Sequence, residues 1–69
     1  MKYSVVVKKD GMTISETPDC TKAEAKKVAK AEAAENKDAQ VFVTWFRSSD
    51  GQHGYLNSDG NHAITGTAW

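Results

Sequence analysis

The chain has one cysteine, one proline and no excess of either charge, with nine basic and nine acidic side chains over 69 residues. A single cysteine allows no intramolecular disulfide. Small secreted domains usually rely on several bridges to offset a thin core, so this absence predicts a reducing compartment and a cytoplasmic protein. Four zinc ligands cannot be drawn from Cys20, His53 and His62 at any standard spacing, which excludes a zinc finger. No stretch approaches the roughly 20 apolar residues of a membrane span. No apolar run after Met1 reads as a signal peptide. Zero net charge argues against a dedicated polyanion binder, whose domain is usually strongly basic. The length leaves room for one small domain, residues 1–69, burying only about 60% of the surface its unfolded chain exposes.

What is present is regular punctuation. Three Asp-Gly pairs, Asp10-Gly11, Asp50-Gly51 and Asp59-Gly60, sit between β-rich runs. Asp-Gly favours tight hairpin corners because such turns need positive φ, which glycine adopts without steric cost. Tyr3–Val7 alternates with Tyr3, Val5 and Val7 on one face, and Met12–Ser15 with Met12 and Ile14 on one face. The two read as a hairpin around the first corner. Thr17-Pro18-Asp19 reads as a break. Thr21 and Glu24 then match a capping box, and residues to about Asn36 are good helix formers. Gln40–Arg47 is apolar on both faces, as expected of a central strand. Gln52–Asn57 and His62 to about Thr67 complete a β-β-α-β-β-β order.

These elements predict an α+β fold, with a single helix packed on one face of a four- to five-stranded antiparallel sheet. Short connections put the second strand beside the first and make a meander of the last three. The crossover through the helix sets the third strand against the first, for the order 2-1-3-4-5. On the helix, Ala25, Val28 and Ala29 cluster on one side with Glu32 at its middle. Lys22, Lys26, Lys30 and Lys37 form a stripe within about 80° of arc. All eight lysines fall in residues 1–37 against six acids, a local +2, while residues 38–69 carry Arg47 against Asp38, Asp50 and Asp59, a local −2.

One helix cannot cover both faces of the sheet. In the central strand Phe42 and Phe46 share one face, and Val41, Val43 and Trp45 the other. One set must point away from the helix. An exposed aromatic patch marks a binding surface on a soluble protein; the alternative is that sheet curl, with Tyr55 and Trp69, covers it. The candidate partner-binding residues are therefore Trp45, or Phe42 and Phe46, with Tyr55. Lys22, Lys26, Lys27 and Lys30 are candidates for contact with a polyanion or an acidic partner; the competing reading is a solvated face that keeps an alanine-rich helix soluble.

Catalytic signals are sparse. Cys20 directly precedes the helix N-terminus, where a thiol pKa can fall, but no nucleophile motif accompanies it. His53 and His62 flank a corner and are expected to be cross-strand neighbours, more in keeping with ordinary strand histidines than with a metal pair. Asn57-Ser58-Asp59-Gly60-Asn61 lacks the spaced carboxylates of a calcium loop, and Gly51, Gly54 and Gly60 form no phosphate-binding loop. Neither cofactor nor metal is expected.

The Thr21–Ala29 segment, with its Thr-Lys-x-x-Ala-Lys run, resembles the second helix of double-stranded-RNA-binding domains. That family's first helix has no counterpart here, so the assignment is not made. A second resemblance covers more of the chain. The element order, the length, the capped Ala-Lys-Lys helix, the Gly-bounded hairpin and the late Trp69 resemble small phage-encoded inhibitors, including some type I anti-CRISPR proteins. This resemblance implies stoichiometric binding to a host complex without catalysis, with lysines that imitate or block nucleic-acid contacts. The sequence thus predicts a non-enzymatic binding protein acting on a protein partner or on a second copy of itself. The runner-up is a nucleic-acid-binding module using the lysine face.

Overall fold

The structure, a computed structural model, describes residues 1–57 and 60–64. The first Asp-Gly corner joins β1 (Lys2–Lys9) to β2 (Met12–Cys20). Asp10 and Gly11 both take positive φ, 54° and 78°, the pair of left-handed residues that a type I′ turn requires. Helix α1 (Lys22–Glu35) starts at a complete capping box. The Glu24 amide donates to Thr21 Oγ1 at 3.2 Å, and the Thr21 amide donates to Glu24 Oε1 at 3.0 Å. Two of the amides that a helix start leaves unpaired are satisfied in this way. β3 (Gln40–Arg47), β4 (Gln52–Leu56) and β5 (His62–Ile64) follow. The sheet order is β2-β1-β3-β4-β5, every pair antiparallel, as the connection lengths predict.

β2 departs from the sequence reading. It continues through Thr17-Pro18-Asp19 to Cys20, where a break was expected. Its place at the sheet edge explains why. A proline without an amide hydrogen removes a ladder bond from a central strand but costs nothing on the outward side of an edge strand. Two register irregularities against β1 and a left-handed Asp19 (φ 60°) bend this strand. β5 is described only to Ile64; residues 65–67 of the expected fifth strand, Asp59 of the third corner and Trp69 lie outside the described residues.

The register decides which face each side chain takes. Tyr3, Val5 and Val7 lie opposite Trp45, Val43 and Val41, so these six share one face. Tyr3, Val5, Trp45 and Cys20 meet the fully buried Ala25 there, with Val28, Ala29, Val41, Val43 and Leu56 packed around them. A 0% exposed alanine at the contact lets the helix backbone come close to the sheet. The apolar free energy therefore comes mainly from sheet side chains, because an alanine methyl contributes little at about 25 cal/mol per Å². Glu32, half-buried on the inward side, takes a hydrogen bond from Asn36 Nδ2 at 3.1 Å. The helix packs on β1, β3 and β2 and stops short of β4 and β5 among the described residues.

Candidate functional site

The register that places Trp45 inward places Phe42 and Phe46 outward. Val6 lies opposite Phe42, Thr44 opposite Tyr55, and Phe46 opposite His53. Residues directly opposite in a sheet share a face, so Phe42, Phe46 and Tyr55 come together on the side without a helix. Trp45 does not belong with them. It is 4% exposed, on the opposite face, and its Nε1 donates to the Tyr55 carbonyl at 3.3 Å. Of the two sets the sequence left open, the phenylalanine set is the one on the uncovered face.

That face is partly self-covered. Val6 has only 7% of its surface exposed although no helix lies over it, and its partner Phe42 is half-buried. Tyr55 is half-buried as well. Phe46 is different, with 49% of its surface in solvent. In the register it lies between Lys2 on β1 and His53 on β4. The centre of the face is thus shielded, and an aromatic ring is left open at one end.

Lys22, Lys26, Lys27 and Lys30 are all exposed and make no ion pair with a described residue. Lys22, Lys26 and Lys30 follow one stripe, whereas Lys27 stands about 100° round the helix from Lys26. The ion pairs present are elsewhere. Lys9 holds Asp38 at 2.7 Å, tying β1 to the loop before β3, and Lys2 reaches Asp19 at 3.4 Å. Arg47 clamps Asp50 through two nitrogens, at 2.9 and 2.7 Å, and reaches Gln52 Oε1 at 2.9 Å. The Arg47 hydrogen bond, and then the Gln52 amide, hold the Asp50 carboxyl below its ordinary value. These contacts fix the β3–β4 corner, and Gly51 (φ 73°) closes it by donating its amide to the Arg47 carbonyl at 2.8 Å.

The two histidines are not neighbours. His62 lies opposite Leu56 and His53 opposite Phe46, on opposite faces of the sheet. His62 instead joins the inward cluster. Its Nε2 shares a hydrogen bond with Tyr3 Oη at 2.5 Å, and its ring stacks on Tyr3 at 5.7 Å and tilts against Trp45 at 5.4 Å. No sequence signal pairs residues 59 positions apart. Cys20 is buried, with Sγ donating to the carbonyls of Thr17 and Pro18 at 3.6 and 3.8 Å. It is a packed thiol at the foot of the helix.

Among the described residues no three His, Cys, Asp or Glu side chains gather as a metal site. No described helix is long and apolar enough to cross a membrane. One concavity was invisible to sequence reasoning: a groove of about 780 Å³ between the helix and the β3–β4 side of the sheet. No protein-family model, no curated protein and no solved structure matches this chain.

Proposed function

We propose that this protein is a non-enzymatic binding protein that engages a protein partner through the helix-free face of its sheet. Phe46 is the anchor, flanked by Phe42 and Tyr55. The observation that carries this reading is the 49% exposure of Phe46 on a face that no helix covers. Interface anchors are typically aromatic residues presented by a rigid scaffold, and here β3 is pinned by β1 on one side and β4 on the other. In this reading the protein is cytoplasmic and acts by occupying its partner's surface, as an inhibitor of phage or mobile-element origin occupies a host complex. Self-association through the same face is the form of the interaction that can be measured on the protein alone.

A second reading rests on a separate observation, the four exposed lysines on α1 that make no ion pair with a described residue. A nucleic-acid module would use Lys22, Lys26 and Lys30 along one groove of a duplex. Salt separates the two readings, since phosphate contacts weaken steeply with log salt and an aromatic contact does not.

The test is size-exclusion chromatography with light scattering, on wild type and Phe46→Asp, with and without a short duplex. Concentration-dependent self-association that survives salt and disappears in Phe46→Asp supports the docking face. A monomer that binds the duplex at low salt, releases it as salt rises and ignores Phe46→Asp transfers the function to the lysines. Phe46→Asp itself should cost about 1–2 kcal/mol, from the half-covered ring and the poor fit of aspartate within a strand, and circular dichroism checks that the variant stays folded.

A further inference from the structure

We infer that the groove beside the helix is a binding site for a single-chain amphipathic carboxylate, a molecule with one anionic head and an apolar tail. The helix covers β2, β1 and β3 and ends its cover there, while β4 leaves β3 after the Thr44–Tyr55 pair. The space left over is the groove. Its volume, about 780 Å³, falls in the usual range of small-molecule sites, about 300–1,000 Å³.

The lining is chemically two-sided. Val41, Val43 and Leu56 supply aliphatic surface, and Ala29 supplies the helix wall. These four are only half-buried, so a ligand tail would remove apolar surface from water that the fold leaves wet. Lys26 also lines the groove. Its ammonium lies against Gly60: a methyl group built on Gly60 would stand 2.8 Å from Lys26 Nζ. The lysine thus reaches from the helix toward the β4–β5 turn. That turn is closed by the Gly60 amide donating to the Asn57 carbonyl at 2.9 Å, and Asn57 also lines the groove. None of the described lining residues is acidic. Lys22 and Lys30 stand one turn to either side of Lys26 on the same stripe and add positive potential along that wall. An apolar lining with one cationic residue, Lys26, complements one negative head and one apolar tail. Phe42 and Tyr55, which flank the proposed docking anchor, also border the groove, but Phe46 does not, so Phe46→Asp tests the docking face and Lys26→Glu the groove, and either proposal can fail without the other.

The experiment is an amide-resolved NMR titration of the full chain with octanoate and decanoate, each below its micelle concentration, and with decyltrimethylammonium as the cationic control. Binding should be saturable and should shift the amides of Ala29, Val41, Val43 and Leu56. Each added methylene should tighten it about two- to fourfold, since a fully buried methylene gives about fourfold. Lys26→Glu, at an exposed position, should keep the folded spectrum and weaken decanoate about tenfold. The inference is overturned if no saturable shift occurs, or if the ammonium compound binds as well as decanoate. Shifts centred on Phe46 and His53 overturn it too, as does a Glu-Leu alternating peptide that fills the groove where decanoate does not.

Discussion

Gly54→Ala is the substitution whose sign separates a packed β5 from a loose one. Gly54 is buried, lies opposite Trp45 and Ile64, and has no left-handed φ that only glycine adopts. With open space around it, alanine would stabilise by about 0.4–1 kcal/mol, because it restricts the unfolded chain. The space is not open. A Cβ there collides with the Ala63 carbonyl oxygen, comes within 2.9 Å of the Ala63 carbonyl carbon and within 3.1 Å of Trp45 Cε2. Two of the three obstacles are backbone, which cannot rotate away as a side-chain tip does. Overpacking of this kind costs about 1–3 kcal/mol. If β5 moves away, the Tyr3–His62 hydrogen bond goes with it, a further loss of about 1 kcal/mol. A domain of this length holds only about 3–10 kcal/mol in total. The expected loss of about 2–4 kcal/mol is therefore a large share. In urea, with a slope near about 1 kcal/mol/M for so small a protein, the unfolding midpoint should fall by about 2 M or more. Tryptophan fluorescence follows the transition. An unchanged or raised midpoint would refute the packing of β5 over Gly54.

Substitutions at three further positions test the same physics elsewhere. Trp45→Ala should cost about 3–5 kcal/mol, enough to unfold a domain at the low end of the stability range, whereas Trp45→Phe should lose less and retain a cooperative transition by circular dichroism. Ala25→Leu should destabilise by about 1–3 kcal/mol in the same urea assay, because the helix has no room to back away from β1 and β3 without exposing the core. Thr21→Ala should cost about 1 kcal/mol as a lost N-cap. It should also alter the acid response. Hydrogen bonds from the Thr21 amide and then its side chain lower the Glu24 carboxyl below the ordinary glutamate value. A depressed carboxylate stabilises above its unfolded pKa and loses that contribution as pH falls through the folded one. Wild type should therefore lose more stability on acidification through that window than Thr21→Ala does. The Thr21 amide remains in Thr21→Ala, so equal losses would show that the hydroxyl carries none of this pH dependence.

Much of the fold was legible because the signals were local. Thr21 and Glu24 announce the helix within four residues, and Asp10-Gly11 announces the first hairpin. The sheet order followed from connection length. The inward face of β3 was not legible, because Phe42, Val43, Trp45 and Phe46 make both faces apolar. Only the pairing of Val5 with Val43 decides it, and a slip of one residue would exchange the two sets. The passage of β2 through Pro18 was hidden for a related reason: a proline is a break or an edge residue depending on whether another strand lies outside it. The candidate docking residues were named together with Trp45, which the register then removed from that face. The groove had no sequence signal, since it depends on how far sideways α1 sits over the sheet.

The uneven cover given by α1 has a consequence for cooperativity. Residues 2–47 contain the helix, the strands beneath it and nearly all the buried side chains. β4 and β5 are added along one side by their ladders, by the Trp45 indole and by the Tyr3–His62 bond. Such an arrangement opens in steps, because segments with fewer buried contacts exchange their amide hydrogens at lower free energy than the core. The amides of Val5 and Val7 should report global unfolding, and those of Tyr55 and Leu56 a smaller opening that strips the last hairpin from the sheet. Phe46 and the groove both lie along that seam, so a ligand at either one would be felt first as slower exchange in β4.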